Sequence, residues 1–192
     1  MNNFSEVGYL HVPELFDKET ISLVSEYFEN KLARGEIKIK NGFISDDEAT
    51  GINYYADPLV EVLLKKATSF VSESVGESLL PTYSFFRVYR PGEKLYKHTD
   101  RPSCEVSVTV SVAFTGEPNK IYMQAPGGKE SVFALNPGDG VIYKGCDVTH
   151  WREPLEEGQL VVQFMLHYVR EKGPNSYFIF DERPRLGAPS CR

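Results

Sequence analysis

The spacing of apolar residues divides the chain into a helical first third and a strand-rich remainder. In the first third, apolar residues recur every three or four positions, which places them on one face of a helix. One helix is predicted to start after Asp17, a suitable N-cap, and a second after Asp57-Pro58, ending near Gly76. The predicted apolar faces contain Ile21, Val24, Phe28 and Leu32 in the first helix, and Leu59, Val62, Leu63, Ala67 and Phe70 in the second.

From residue 82 onward, polar and apolar residues alternate with the period of two that is typical of β-strands. Strands are predicted over residues 82–90, 105–112, 121–124, 132–135, 141–144 and 160–169. Turn signals such as Pro91-Gly92 and Asn136-Pro137-Gly138-Asp139-Gly140 separate them. Many short strands divided by turns indicate a β-sandwich or jelly roll, with the two helices packed on the β core.

The strand predicted at 105–112 has valines on one face and Ser107, Thr109 and Ser111 on the other. These hydroxyls lie either in solvent, with the valines in the core, or inside the barrel, with the valines under the helices. A wet cavity needs polar walls, which favours the second arrangement. Gln163 and His167 likewise share a face of the last strand and are interpreted as hydrogen-bonding pocket walls, with a solvent-facing strand as the alternative.

Composition excludes several classes of protein. Hydrophobic residues make up 41% of the 192 positions and charged residues 25%, which is incompatible with a disordered chain. A net charge of −6 argues against a general nucleic-acid or membrane binder. The three cysteines lack zinc-site spacing, and no charged leader or long apolar stretch is present, so a protein of the reducing cytoplasm is expected.

Two histidines and an aspartate have the composition of a metal site. His98 and Asp100 are two residues apart, so on a strand they would point the same way, and His150 follows later in the β region. Two histidines and one carboxylate form the facial ligand set of non-haem Fe(II) oxygenases. The alternative is a set of unrelated polar residues at strand ends. His167 is interpreted as a pocket wall and His11 as structural or exposed.

Several motifs together resemble the Fe(II)/2-oxoglutarate-dependent oxygenases, and within them the prolyl-hydroxylase-like branch. They are Tyr89-Arg90-Pro91-Gly92, Lys97-His98-Thr99-Asp100, Asn136-Pro137-Gly138-Asp139-Gly140, and His150 followed by Pro154 and Gly158. The resemblance spans residues 79–169. It implies a mainly β fold, a double-stranded β-helix (jelly roll) supported by two N-terminal α-helices. One oxygenase domain would cover residues 1–192, with support helices in 1–78 and the β-helix core in 79–181.

The resemblance also implies an activity. His98, Asp100 and His150 would bind Fe(II) as the catalytic centre, with 2-oxoglutarate and O2 as cosubstrates and ascorbate as a supporting reductant. The expected reaction is hydroxylation of an unactivated C–H bond in an amino acid, a peptidyl residue or a small molecule. The carboxylate of Asp100 favours hydroxylation over halogenation, because related halogenases lack this ligand.

One departure from the family concerns the cosubstrate. The family usually places an Arg or Lys nine or ten residues after the second histidine, where this chain has Gln159 and Leu160. A buried carboxylate still needs a charged partner. The expected cosubstrate-binding residues are Tyr89, which matches a family tyrosine, Arg87 on the same strand face, Arg152 and Gln163, with Lys144 as a further cation.

The missing cation leaves two other classes of protein open. A cupin-like metal-binding protein, either an isomerase or a non-catalytic module, would bind metal without using 2-oxoglutarate. A sugar-binding β-sandwich would not bind iron at all.

Overall fold

The computed structural model describes residues 3–36 and 52–188. Its α-helices are α1 (Asn3–Val7), α2 (Lys18–Ala33) and α3 (Pro58–Val75), and short 3-10 helices cover Pro102–Cys104 and Ser176–Glu182. The strands are β1 (Tyr9–Val12), β2 (Ile52–Tyr55), β3 (Leu79–Tyr89), β4 (Leu95–His98), β5 (Val106–Thr115), β6 (Asn119–Gln124), β7 (Glu130–Leu135), β8 (Gly140–Tyr143), β9 (Thr149–Arg152) and β10 (Leu160–Arg170).

The strands form two antiparallel sheets. The larger has the order β1-β8-β5-β10-β3-β2 and the smaller the order β4-β9-β6-β7. This arrangement confirms the predicted fold class, a mainly β jelly roll with flanking helices. β1 and β2 come from the region that the sequence assigned to support helices, and they form the edges of the larger sheet. Each has only four residues, too few to show a period of two.

Both long helices begin at the expected aspartates. Asp17 caps α2 by accepting a hydrogen bond from the Thr20 backbone N–H at 2.7 Å. Asp57 caps α3, accepting from the Leu59 N–H at 2.9 Å, and α3 ends at Gly76 in the left-handed conformation (φ 76°). Both caps satisfy backbone donors that the first helical turn leaves without partners.

The buried faces of the helices differ in part from the predicted ones. α2 buries Lys31 rather than Leu32, because Lys31 Nζ lies 2.7 Å from Asp57 Oδ2 and ties α2 to the cap of α3. In α3, Val62 and Phe70 are 50% and 45% exposed. The buried positions of α3 are Val60, Glu61, Leu63, Leu64, Ala67 and Val71.

The apolar core divides into two clusters. The larger lies between the helices and the outer face of the larger sheet, and it includes the β5 valines Val106, Val108, Val110 and Val112. The β5 hydroxyls are buried on the opposite face, so the arrangement with hydroxyls inside the barrel is confirmed. A smaller cluster around Ile121, Met123 and Val141 fills one part of the space between the sheets.

Within the described residues, no helix combines the length and the apolar composition required to cross a bilayer.

Candidate active site

His98 and His150 meet because their strands are neighbours in the smaller sheet. β4 and β9 pair antiparallel with these two residues in register, and their ring centroids are 4.3 Å apart. β4 ends at His98, so Asp100 is not part of the strand as the two-residue spacing predicted. Asp100 instead lies in the following loop, where its backbone N–H donates to the Gly145 carbonyl at 2.8 Å. The loop therefore turns the carboxylate toward the histidines.

The three side chains present a compact set of donor atoms. Asp100 Oδ1 lies 3.6 Å from His98 Nε2 and 3.5 Å from His150 Nε2. The other ring nitrogens bond backbone carbonyls, at 2.8 Å for His98 to Tyr96 and 3.0 Å for His150 to Val148. Such outer bonds fix the ring orientation and leave Nε2 available as a ligand. Two imidazoles and one carboxylate suit a divalent transition metal such as Fe(II).

Electrostatics at this cluster favour a charged carboxylate. Burial raises the pKa of Asp100, but His150 and the hydrogen bond from His98 outweigh it and lower the pKa to about 2. For His98, burial lowers the pKa, while Asp100 raises it to a net value above the usual one. His150 is more deeply buried, and its pKa is lowered by that burial. Asp100 is therefore ionised at neutral pH, as metal binding requires.

A cavity extends from this cluster between the two sheets. Its lining residues are Tyr83, Phe85, Arg87, Tyr89, Leu95, His98, Asp100, Thr109, Ile121, Tyr143, His150, Gln163, Met165 and His167. The structure therefore brings four of the predicted groups together, the metal cluster, Arg87 with Tyr89, Gln163 and the pocket-wall His167. His11 lies outside this lining, on β1 beside Phe133.

Arg87 is a buried cation that faces this cavity. It is 6% exposed, its guanidinium packs 4.3 Å from the Tyr89 ring centroid, and Nε and Nη2 have no hydrogen-bond partner among the described residues. It forms no ion pair within residues 3–36 and 52–188. A buried guanidinium without an ion-pair partner is energetically costly, so this end of the cavity is suited to an anion.

Arg152 and Lys144, the other two expected cations, are not among the residues that line the cavity. Arg152 is buried beside the cavity, and its guanidinium donates to Gln163 Oε1 at 2.6 Å and to the Lys120 carbonyl at 2.5 Å. Burial lowers its pKa. Lys144 Nζ lies 3.5 Å from the Ser5 carbonyl, outside the cavity lining. Arg152 therefore borders the cavity through Gln163 and through Tyr89, whose ring centroid lies 5.0 Å from its guanidinium, whereas Lys144 lies outside the lining.

Sequence reasoning missed two residues that shape the site. Tyr143 packs against His150 with ring centroids 4.7 Å apart, and it carries no motif that would have identified it. Gly145 accepts the backbone hydrogen bond of Asp100. The sequence did offer a sign of this residue, because a lone glycine directly after a predicted strand often marks a site where another segment approaches the backbone closely.

The chain matches no protein-family model and no curated protein sequence. Solved structures do resemble it. A prolyl-4-hydroxylase from Pseudomonas putida is 15% identical with a TM-score of 0.70, covering 88% of this chain and 95% of that one. A Trichoplax adhaerens prolyl hydroxylase bound to a hypoxia-inducible-factor peptide fragment is 14% identical with a TM-score of 0.69, covering 89% and 87%. The non-haem α-ketoglutarate-dependent epimerase SnoN of nogalamycin biosynthesis is 12% identical with a TM-score of 0.72, covering 98% and 90%.

The chain has the jelly-roll fold of the Fe(II)/2-oxoglutarate-dependent oxygenases. The resemblance predicted from the motifs is thus confirmed for the fold. The three alignments cover 88%, 98% and 89% of this chain.

Proposed function

We propose that this chain is an Fe(II)- and 2-oxoglutarate-dependent dioxygenase that hydroxylates an unactivated C–H bond. The observation that carries the proposal is one cavity with a two-histidine, one-carboxylate cluster and a buried arginine without an ion-pair partner among the described residues. A metal site needs only the cluster. The added unpaired guanidinium fits a ligand that carries a carboxylate away from the metal, as 2-oxoglutarate does.

His98, Asp100 and His150 would hold the Fe(II). When bound, Fe(II) and 2-oxoglutarate would supply the oxygen activation that C–H hydroxylation requires. The residues of the chain orient the ligands and exclude water. Asp100 supplies the negative charge, and His150, 2% exposed, closes the inner side of the site. The filled carboxylate position supports hydroxylation over halogenation.

Arg87 would bind the far carboxylate of 2-oxoglutarate. Its planar guanidinium can donate two parallel hydrogen bonds to a carboxylate, and the Tyr89 ring restricts its position. Arg152 would act indirectly, because it holds the carbonyl oxygen of Gln163 and thereby turns the Gln163 amide group in the cavity wall. This arrangement replaces the cation that the family places after the second histidine.

The substrate is proposed as an amino acid, a peptidyl residue or a small molecule, encountered in the cytoplasm. The fold neighbours include a prolyl hydroxylase bound to a peptide and enzymes of nogalamycin biosynthesis, which supports this range. The His98 side chain is 34% exposed, so the metal cluster is reached from solvent on that side.

The test is an anaerobic titration of 2-oxoglutarate into the Fe(II)-loaded protein, followed by its metal-to-ligand absorption band. The wild type should develop the band and, with O2 and ascorbate, release succinate in the presence of a substrate. Arg87→Met should retain iron but lose most of the 2-oxoglutarate affinity. Arg90→Met is the matched control, because Arg90 is bonded to Glu93 outside the cavity. A wild type that binds iron without developing the band would contradict the proposal and favour a cupin-like metal protein.

A further inference from the structure

The two carboxylate oxygens of Asp100 have different surroundings. Oδ1 faces His98 Nε2 and His150 Nε2, at 3.6 and 3.5 Å. Oδ2 accepts a hydrogen bond from Ser107 Oγ at 2.7 Å. Ser107 Oγ also lies 2.9 Å from His167 Nδ1. One oxygen is thus directed to the metal site and the other is bound to the protein.

The positions of the protons in the hydrogen bonds that link Asp100, Ser107 and His167 can be assigned. A carboxylate has no proton, and Asp100 Oδ2 at 2.7 Å is a much closer acceptor than the Cys104 carbonyl oxygen at 3.4 Å, so the single hydroxyl proton of Ser107 points to Asp100 Oδ2. Ser107 Oγ then has only lone pairs for His167, and His167 Nδ1 must carry the donating proton. This assignment holds whether the His167 ring is neutral or charged. His167 thereby fixes the hydroxyl rotor of Ser107 in the direction of Asp100.

Gly145 packs closely against the same oxygen. A Cβ at this position would lie 2.5 Å from Asp100 Oδ2, 2.2 Å from the Cys104 carbonyl oxygen and 2.9 Å from Ser107 Oγ. No side chain fits there. The Gly145 backbone is held at both ends, since its carbonyl accepts from the Asp100 N–H at 2.8 Å and its N–H donates to the Glu105 carbonyl at 3.1 Å.

We propose that Ser107, oriented by His167, is a positioning residue that keeps Asp100 a one-oxygen metal ligand. With Oδ2 held by Ser107 and enclosed by Gly145, only Oδ1 is presented to the metal. Loss of the Ser107 hydroxyl would let the carboxylate rotate, and both oxygens could then approach the metal. The inference rests on the metal site of the proposed function but not on the use of 2-oxoglutarate.

The test measures metal binding without cosubstrate. Ser107→Ala should weaken Mn(II) binding about tenfold, the range found for outer partners of metal ligands. It should also change the visible absorption bands of the Co(II)-loaded protein, which report ligand number and geometry. Ser84→Ala is the matched control, because Ser84 is a fully buried strand serine outside the cavity lining, and its hydroxyl has no hydrogen-bond partner among the described residues. It should leave both readouts unchanged.

His167 provides an independent check. Replacing it with Phe should weaken Mn(II) binding less than Ser107→Ala does. The double variant should bind no more weakly than Ser107→Ala, because both changes act through one hydrogen bond. In the unmodified protein, histidine nitrogen NMR should find His167 protonated at Nδ1.

Three results would overturn the inference. They are wild-type Mn(II) affinity with unchanged Co(II) bands in Ser107→Ala, a His167 tautomer protonated only at Nε2, or no Mn(II) binding by the wild type. Failure of the proposed function looks different, since the wild type would then bind Mn(II) normally but not 2-oxoglutarate.

Discussion

The two ends of the cavity differ in how their charges are balanced. At the metal end, defined by His98, Asp100 and His150, every polar side chain has a partner within the protein, and the carboxylate faces two imidazoles. At the arginine end, defined by Arg87 and Tyr89, a buried cation has guanidinium nitrogens without a partner among the described residues. The side chains of the metal end are held by protein contacts alone, whereas the arginine end leaves guanidinium nitrogens that an anion could bind. Metal and anion binding should therefore be separable by mutation.

The largest effect is expected from breaking the metal end. His150→Ala removes one of three ligands in a buried position and should reduce Mn(II) affinity more than a hundredfold and abolish turnover. His98→Ala and Asp100→Ala should do the same. Calorimetric Mn(II) titration measures the loss, with His11→Ala as the control because His11 lies outside the cavity lining. Wild-type activity in His150→Ala would refute the ligand assignment.

Breaking the arginine end should leave the metal end intact. Arg87→Ala should weaken 2-oxoglutarate binding at least tenfold, since an unpaired buried carboxylate costs about 2–5 kcal/mol. Mn(II) affinity should stay within twofold of the wild type. Arg87→Lys should recover only part of the loss, because an ammonium group donates to one point rather than two. Equal losses of metal and 2-oxoglutarate affinity would show that the two ends are not independent.

Much of this difference between the metal end and the arginine end could be predicted from the sequence. The residue types of the metal end were predicted, and so was Arg87, because its position two residues before Tyr89 places both on one strand face. The prediction that Asp100 lies on a strand with His98 was wrong. Asp100 lies in a loop that is held by its backbone hydrogen bond to Gly145, and a pattern of side chains does not reveal such a backbone contact. The proposed role of Arg152 depends on its hydrogen bond to Gln163, a contact between two consecutive strands that belong to different sheets.

The helices show the same limit of prediction from sequence, which finds local contacts but not distant ones. Caps are local interactions between residues a few positions apart, so Asp17, Asp57 and Gly76 could be identified from the sequence. Which face a helix buries depends on the partner it meets. Lys31 is buried because Asp57, the N-cap of the next helix, lies beside it, and a hydrophobic pattern cannot predict such an ion pair.

Acid should destabilise the metal-free protein through His167, which lies behind the metal end and contacts Ser107. Burial lowers the pKa of His167 to about 4, from 6.5 when unperturbed. Between these values the unfolded chain binds a proton that the folded protein does not, so stability falls as the pH drops below 6.5 and the loss is complete near pH 4. At pH 5 the expected cost is about 2 kcal/mol, at 1.36 kcal/mol per pH unit.

Urea unfolding at pH 7 and pH 5 measures this cost. His167→Gln should lose less stability between the two pH values than the wild type, by about 2 kcal/mol. Asp100 is not a source of the difference, because its pKa is lowered to about 2 and it stays ionised throughout this range. The same pH dependence in both proteins would assign the acid sensitivity to another group.

The smallest expected effect concerns Thr109, which lines the cavity. Its hydroxyl is buried, 1% exposed, and has no hydrogen-bond partner among the described residues. Thr109→Val keeps the shape of the side chain and removes a group whose burial without a partner is unfavourable, so the free energy of unfolding should not fall. If the hydroxyl serves the anion, affinity for 2-oxoglutarate should fall about threefold, which corresponds to less than about 1 kcal/mol. Ser84→Ala removes a similar hydroxyl outside the cavity and should leave 2-oxoglutarate affinity unchanged. A destabilised Thr109→Val with wild-type affinity would instead assign the hydroxyl to the packing of the sheet and restrict the anion site to Arg87 and its neighbours.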